Sequence, residues 1–107
     1  MALTTRAEVA TERPSPYLKQ LCKHFRHKHP SIAFDDSDGT MPFPFGTCRL
    51  HAEGTTLTLV GEAEDLEQLD YLERVIGSHL ERFGRRDGLT VAWTRDEAAA
   101  ARTETAP

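Results

Sequence analysis

Apolar and polar residues alternate at the start of the chain: Leu3, Thr5, Ala7 and Val9 on one side, Thr4, Arg6, Glu8 and Ala10 on the other. A period of two marks a half-buried strand, here spanning 2–11 and ended by Glu12, Arg13 and Pro14. The period then changes. Tyr17, Leu18, Leu21, Cys22 and Phe25 share one arc at about 100° per residue, which predicts an amphipathic helix over 15–30. Ser15 is placed as its N-cap and Pro16 at the first helical position, where a missing N–H costs nothing. His29 lies at the edge of the arc, and Pro30 stops the helix because the residue before a proline avoids the α region.

Residues 32–34 read as a short strand, and 35–39 as an acidic turn with Gly39 taking a positive φ. Met41, Phe43 and Phe45 alternate with Pro42 and Pro44, which suits an edge strand or an ordered loop capping the core. Residues 47–53 and 56–62 form a hairpin around Gly54 and Thr55, with Cys48, Leu50, Ala52, Leu57 and Leu59 inward. Over 63–84 a stripe of Leu66, Leu69, Leu72, Ile76, Leu80 and Phe83 predicts the second helix. Leu89, Val91 and Trp93 then alternate in a last strand, with Leu21, Phe25, Leu69, Ile76, Leu80 and Trp93 as expected core residues. The order is β-α-β-(β)-β-β-α-β. Each helix has one apolar stripe and each strand one apolar side. The fold class is therefore α+β, two layers, with a mostly antiparallel sheet and both helices on one face. Residues 1–95 make a single domain, and 96–107, lacking large apolar residues, are expected to be a disordered tail.

A chain of 107 residues suits one modest core. Its net charge of −4 argues against nucleic acid as a partner, since phosphate binding needs an excess of Lys and Arg. No stretch is apolar and long enough to cross a bilayer, and the start has no apolar leader. The expected place is the cytoplasm, where the two cysteines stay reduced.

The chemistry gathers in the first helix. His24 and His27, spaced i, i+3, can reach one point, which begins a metal site; zinc wants three or four protein ligands, and no Asp or Glu in this helix completes the set. The plainer reading is two solvated imidazoles on a basic face. Cys22 and Cys48 both point inward, so two small buried hydrophobes are set against a reactive or redox pair of thiols. Lys23, His24, Arg26, His27 and Lys28 are the candidate donors to an anionic small ligand or a protein partner. The segment 34–39 superficially suggests a calcium loop, but Phe34 and Phe45 fall where that loop needs carboxylates. No phosphate loop, serine nucleophile motif or paired carboxylates occur, and no cofactor is implied.

Y-L-K-Q-L-C-K-H-F-R-H-K (17–28), G-T-C-R-L (46–50) and H-L-E-R-F-G-R-R-D-G-L-T-V-A-W-T-R (79–95) resemble a small bacterial family known as a domain of unknown function, the one numbered twenty-two eighteen. The resemblance implies a compact α+β domain. Some members stand near, or are joined to, siderophore-interacting reductases, which implies a link to iron acquisition. It supplies no catalytic residues. The residues that carry it are Cys22, His24, His27, Lys28, Cys48, Arg49, Leu50, Glu81, Arg82, Phe83, Trp93 and Arg95; the chain departs from it at M-P-F-P-F (41–45) and Gly84. The expected function is a non-catalytic accessory or binding domain linked to iron–siderophore metabolism. The alternatives are a metal-binding or thiol-dependent protein using Cys22, His24 and His27, and a small enzyme.

Overall fold

The computed structural model describes residues 3–95, so the tail expected at 96–107 lies outside the described residues. The elements follow the expected order: β1 Leu3–Ala10, α1 Pro14–Arg26, β2 Ala33–Phe34, β3 Asp38–Phe43, β4 Gly46–Glu53, β5 Thr56–Ala63, α2 Leu66–Phe83, a 3-10 turn Arg85–Asp87, and β6 Thr94–Arg95. The strands form one six-stranded sheet in the order β2-β3-β4-β5-β1-β6, every pair antiparallel. α1 packs over β3, β4 and β5, and α2 over β5, β1 and β4. The core lies between the two layers. Ala7, Val9, Met41, Cys48, Leu50, Leu57 and Leu59 rise from the sheet to meet Leu18, Leu21, Leu72, Ile76 and Leu80.

Several local expectations are corrected. α1 begins two residues early: Arg13 is the N-cap, and Pro14 and Pro16 both sit in the first turn. Proline fixes a helical φ and gives up only an N–H that has no helical partner there, so Pro14 starts the helix ahead of Ser15. α1 also ends early, at Arg26, where the N–H groups of Lys28 and His29 both turn back to the Phe25 carbonyl (3.2 and 3.0 Å). α2 starts at Leu66, three residues late, because Asp65 is its N-cap and accepts from the Gln68 N–H at 2.8 Å. Leu66 is consequently 60% exposed and not part of the buried stripe.

Gly39 does not take a positive φ. It sits inside β3, opposite Leu50, where a Cβ would stand 2.9 Å from the Cys22 sulfur, so its absence lets α1 close on the sheet. The turn before it is held instead by the Asp35 carboxylate, which accepts from the N–H groups of Ser37 (2.9 Å) and Asp38 (2.8 Å) and is thereby kept below the usual carboxylate range. Pro42 lies in β3 beyond the reach of the two-residue β2, where β3 is an edge and proline is tolerated.

The last strand is only Thr94–Arg95, paired with Thr5 and Arg6 of β1. Leu89, Val91 and Trp93 were expected in it, but this stretch runs along α2. Val91 donates its N–H to Glu81 (2.8 Å), Val91 and Trp93 lie against Gly77, and Arg95 makes two 3.1 Å bonds to Glu73. Burying those side chains against a helix flank wins over extending the ladder. Phe25 and Trp93 are half-buried at the rim of the core rather than inside it.

Candidate functional site

Of the five candidate donors, the fold sends two in different directions and leaves the others in solvent. Arg26 turns toward β2, its guanidinium carbon 5.8 Å from the centre of the Phe34 ring. His24 turns the other way, toward α2. Its ring meets His79 at 5.0 Å between centroids, Phe25 edge-on at 5.0 Å and Phe83 edge-on at 5.4 Å. Lys23, His27 and Lys28 are exposed, and their side chains make no hydrogen bond or ion pair among the described residues. Lys19, on the same helix, is instead paired with Asp36 at 3.0 Å. None of the ion pairs among the described residues joins the basic residues of α1 to the acidic ones of α2.

His79, the partner of His24, was not singled out in the sequence. It belongs to a run at four-residue spacing, Tyr71, Val75, His79 and Phe83, along the flank of the buried stripe. That spacing is visible in the chain, but that the flank faces α1 is not. The Nδ1 of His79 contacts the Val75 carbonyl at 2.7 Å. A carbonyl only accepts, so Nδ1 carries the proton and, in the neutral ring, Nε2 is the free nitrogen. The groups acting on His24 are all cationic or basic: His79, His27, Arg82 and Lys28. Partial desolvation first, and then these neighbours, hold the His24 imidazole below its ordinary value. Protonation of this ring is disfavoured relative to an ordinary imidazole.

The two thiols lie beneath this surface. Cys22 and Cys48 are both free and fully buried. Desolvation pushes the Cys22 thiol up to about 12; burial raises that of Cys48 further, with a smaller contribution from Cys22. Both are neutral thiols near pH 7, and a nucleophile needs the thiolate. Cys22, His24 and His27 are not brought together as ligands, and no group of three or more His, Cys, Asp or Glu among the described residues is placed to hold a metal ion.

His51 is elsewhere, on the sheet face that no helix covers. Its Nδ1 is 2.8 Å from Asp38 and its Nε2 3.1 Å from Glu53, and hydrogen bonds to those carboxylates raise its pKa. The same face holds a hollow of about 710 Å³ lined by Thr4, Arg6, Glu8, Val60, Thr94 and Arg95. Its charges are already matched, Arg6 with Glu8 and Arg95 with Glu73 and Asp70. The unmatched positive charge is therefore on the helical side.

A six-stranded antiparallel sheet covered on one face by two helices, with an α1–α2 ridge rich in imidazole and cations, defines a small two-layer α+β domain. The chain belongs to the bacterial family described as "Uncharacterized protein conserved in bacteria (DUF2218)", which matches residues 6–94. Among solved structures it is similar to the "NMR structure of PA4090 from Pseudomonas aeruginosa", with 26% sequence identity and a TM-score of 0.72 over 86% of this chain and 95% of that one. None of the curated proteins matches it. No helix among the described residues is long and apolar enough to cross a membrane.

Proposed function

We propose that this domain is a non-catalytic binding module whose working surface is the α1–α2 ridge, and that it takes an anionic ligand or an acidic partner. One observation carries the reading. His24 and His79 meet at 5.0 Å, and His27, Lys28 and Arg82 bear on the same ring. None of the five is bonded to a carboxylate among the described residues. On a protein with 17 acidic and 13 basic side chains, the unpaired Lys28 and Arg82 beside three imidazoles able to take a proton are an anion site in waiting. Lys23 and Arg26 flank it. The acidic balance of the whole chain favours a compact anion or an acidic protein segment over nucleic acid.

Two buried, neutral thiols, with no three-ligand cluster among the described residues, weigh against the thiol-dependent and metal-binding alternatives. Free cysteines fit a reducing compartment, which supports a cytoplasmic location. The link to iron–siderophore metabolism rests on the family resemblance alone.

The test is a titration followed by amide and imidazole NMR, with tripolyphosphate and polyglutamate as probes, at pH 6 and pH 8 and at low and high salt. Shifts should centre on His24, His27, Lys28, His79 and Arg82. Binding should strengthen in acid, because the anion favours the protonated ring, and weaken with salt, because exposed charges are screened over about 8 Å. The double variant His24→Gln with His27→Gln should bind less tightly. Shifts confined to the His51 face, or affinity unchanged by salt and by the variant, would sink the proposal.

A further inference from the structure

The cationic ridge is the end of a longer feature. A chain of ring contacts runs from Tyr71 to Phe45 (4.8 Å), on to Phe43 (4.9 Å) and Phe25 (5.4 Å), and from Phe25 to His24 and His79 (5.0 and 4.9 Å). Phe83 closes the row against His24 at 5.4 Å. Four of the chain's five phenylalanines and three of its five histidines lie in this row or, as with His29 against Phe43 at 4.7 Å, touch it. Aromatic side chains that bury their faces usually go inward. Here Phe25, Phe45, His79 and Phe83 are only half-buried, and Tyr71 is 49% exposed. The result is a partly exposed strip of rings between α1, α2 and the β3–β4 turn, with Phe43 buried at its middle.

The strip has a length and a polarity. Tyr71 and Phe83 are twelve residues apart on one helix, which sets it at about 18 Å. One end carries His24, His27, Lys28 and Arg82. Beyond the other end lie Glu62 and Glu64, which line a hollow of about 290 Å³ beside Phe45. Unpaired positive charge is thus concentrated at the Phe83 end, while at the Tyr71 end Glu62 is paired with Arg49 at 3.6 Å and Glu64 has no cation partner among the described residues.

We propose that this strip receives an acidic amphipathic segment of a partner protein, with apolar side chains on the aromatic row and carboxylates gathered over His24, His79 and Arg82. The inference rests on the anion-binding reading of the same ridge and adds the class of ligand. An elongated, open strip suits a segment of three to four helical turns, or a shorter extended stretch, better than a small molecule, which would leave most of the row in water. Charge complementarity at one end only fixes the direction in which the segment lies. Tyr71 and Phe45 are the natural anchors, since aromatic residues dominate the energetics of such contacts.

The probe is a synthetic, fluorescently labelled peptide of about 14 residues with Leu and Phe at helical spacing and Glu clustered at one end. Its control has the same charge with every apolar residue replaced by Ser. Tripolyphosphate and benzoate are the small-anion arms, and the proteins are wild type, Tyr71→Ser and Arg82→Gln. Because Tyr71 is exposed, its replacement should leave the fold intact. The amphipathic peptide should bind wild type about tenfold or more tighter than the control. Tyr71→Ser should remove most of that margin without changing the control's affinity, and Arg82→Gln should weaken both peptides.

Equal affinity of the two peptides, both weakened by Arg82→Gln, would overturn the segment proposal and leave the anion reading standing. Benzoate binding as tightly as the amphipathic peptide would overturn it in favour of a small aryl anion. Failure of every probe, tripolyphosphate included, would remove both readings together.

Discussion

Replacing Gly46 by alanine should destabilise the domain far more than replacing Gly54, although both glycines bound tight turns and both have positive φ, 153° and 58°. At Gly54, between β4 and β5, an added Cβ would meet nothing within 4 Å. The cost there is backbone strain alone, about 1–2 kcal/mol for a left-handed L residue. The reduced entropy of the unfolded chain offsets some of it, by about 0.4–1 kcal/mol. At Gly46 the strain is joined by a collision. The Cβ would stand 2.3 Å from the Glu62 carbonyl oxygen, 3.0 Å from Leu72 Cδ1 and 3.3 Å from the Ala63 Cβ. The first of these is backbone of β5, held in the ladder with Thr47 and Thr4, so it cannot yield as a side chain would. Strain of about 1–3 kcal/mol and overpacking of about 1–3 kcal/mol together give roughly 2–6 kcal/mol. In a domain of this size each kcal/mol moves the melting temperature by about 4–8 °C. Gly54→Ala should therefore melt within several degrees of wild type and Gly46→Ala about 8 °C or more below it. Urea titration of both variants, with equal slopes, gives the free energies directly. Indistinguishable midpoints for the two variants would show that β4 and β5 do not approach as closely at Gly46 as described.

Leu80, fully buried on α2, should cost about 2–5 kcal/mol when cut to alanine, a large part of a typical total of 5–15, and an unchanged urea midpoint would refute its placement. Cys22 and Cys48 should react slowly with a thiol reagent in the native protein and fast in denaturant; rapid native labelling of Cys22 would contradict its burial. In histidine-ring NMR, His24 should titrate below the ordinary imidazole value and His51 above it. The stability signs are opposite. The folded state's disfavouring of charged His24 costs nothing above the ordinary value and takes stability away as pH falls through the lowered one. The favourable His51 contribution is complete below the ordinary value and disappears as pH rises through the raised one. His24 titrating at or above the ordinary imidazole value would mean that the α1–α2 ridge is not assembled in solution.

The alternation and helical periods in this chain were enough to fix the order of elements, the two-layer class and the inward sides of β1, β4 and β5. Those properties depend on which face of a local structure is apolar, and a face is a short-range pattern: Cys48 and Leu50 are buried, Arg49 and His51 exposed, as their alternation requires. Element ends were less legible, because they depend on competition between neighbouring signals. Two prolines and a serine could each have begun α1, and the Asp65 cap set the start of α2 at Leu66, three residues into the helix that the apolar stripe predicts. Leu89, Val91 and Trp93 alternate like a strand, yet they lie on α2, since alternation does not say which apolar surface a segment will find. The candidate site shows the same division. The basic residues of α1 can be read from the chain, but whether they share a surface cannot. Packing of the two helices across the sheet turned Arg26 toward Phe34 and His24 toward His79, residues 55 positions apart in sequence, and only that long-range contact made a row of scattered rings into one surface.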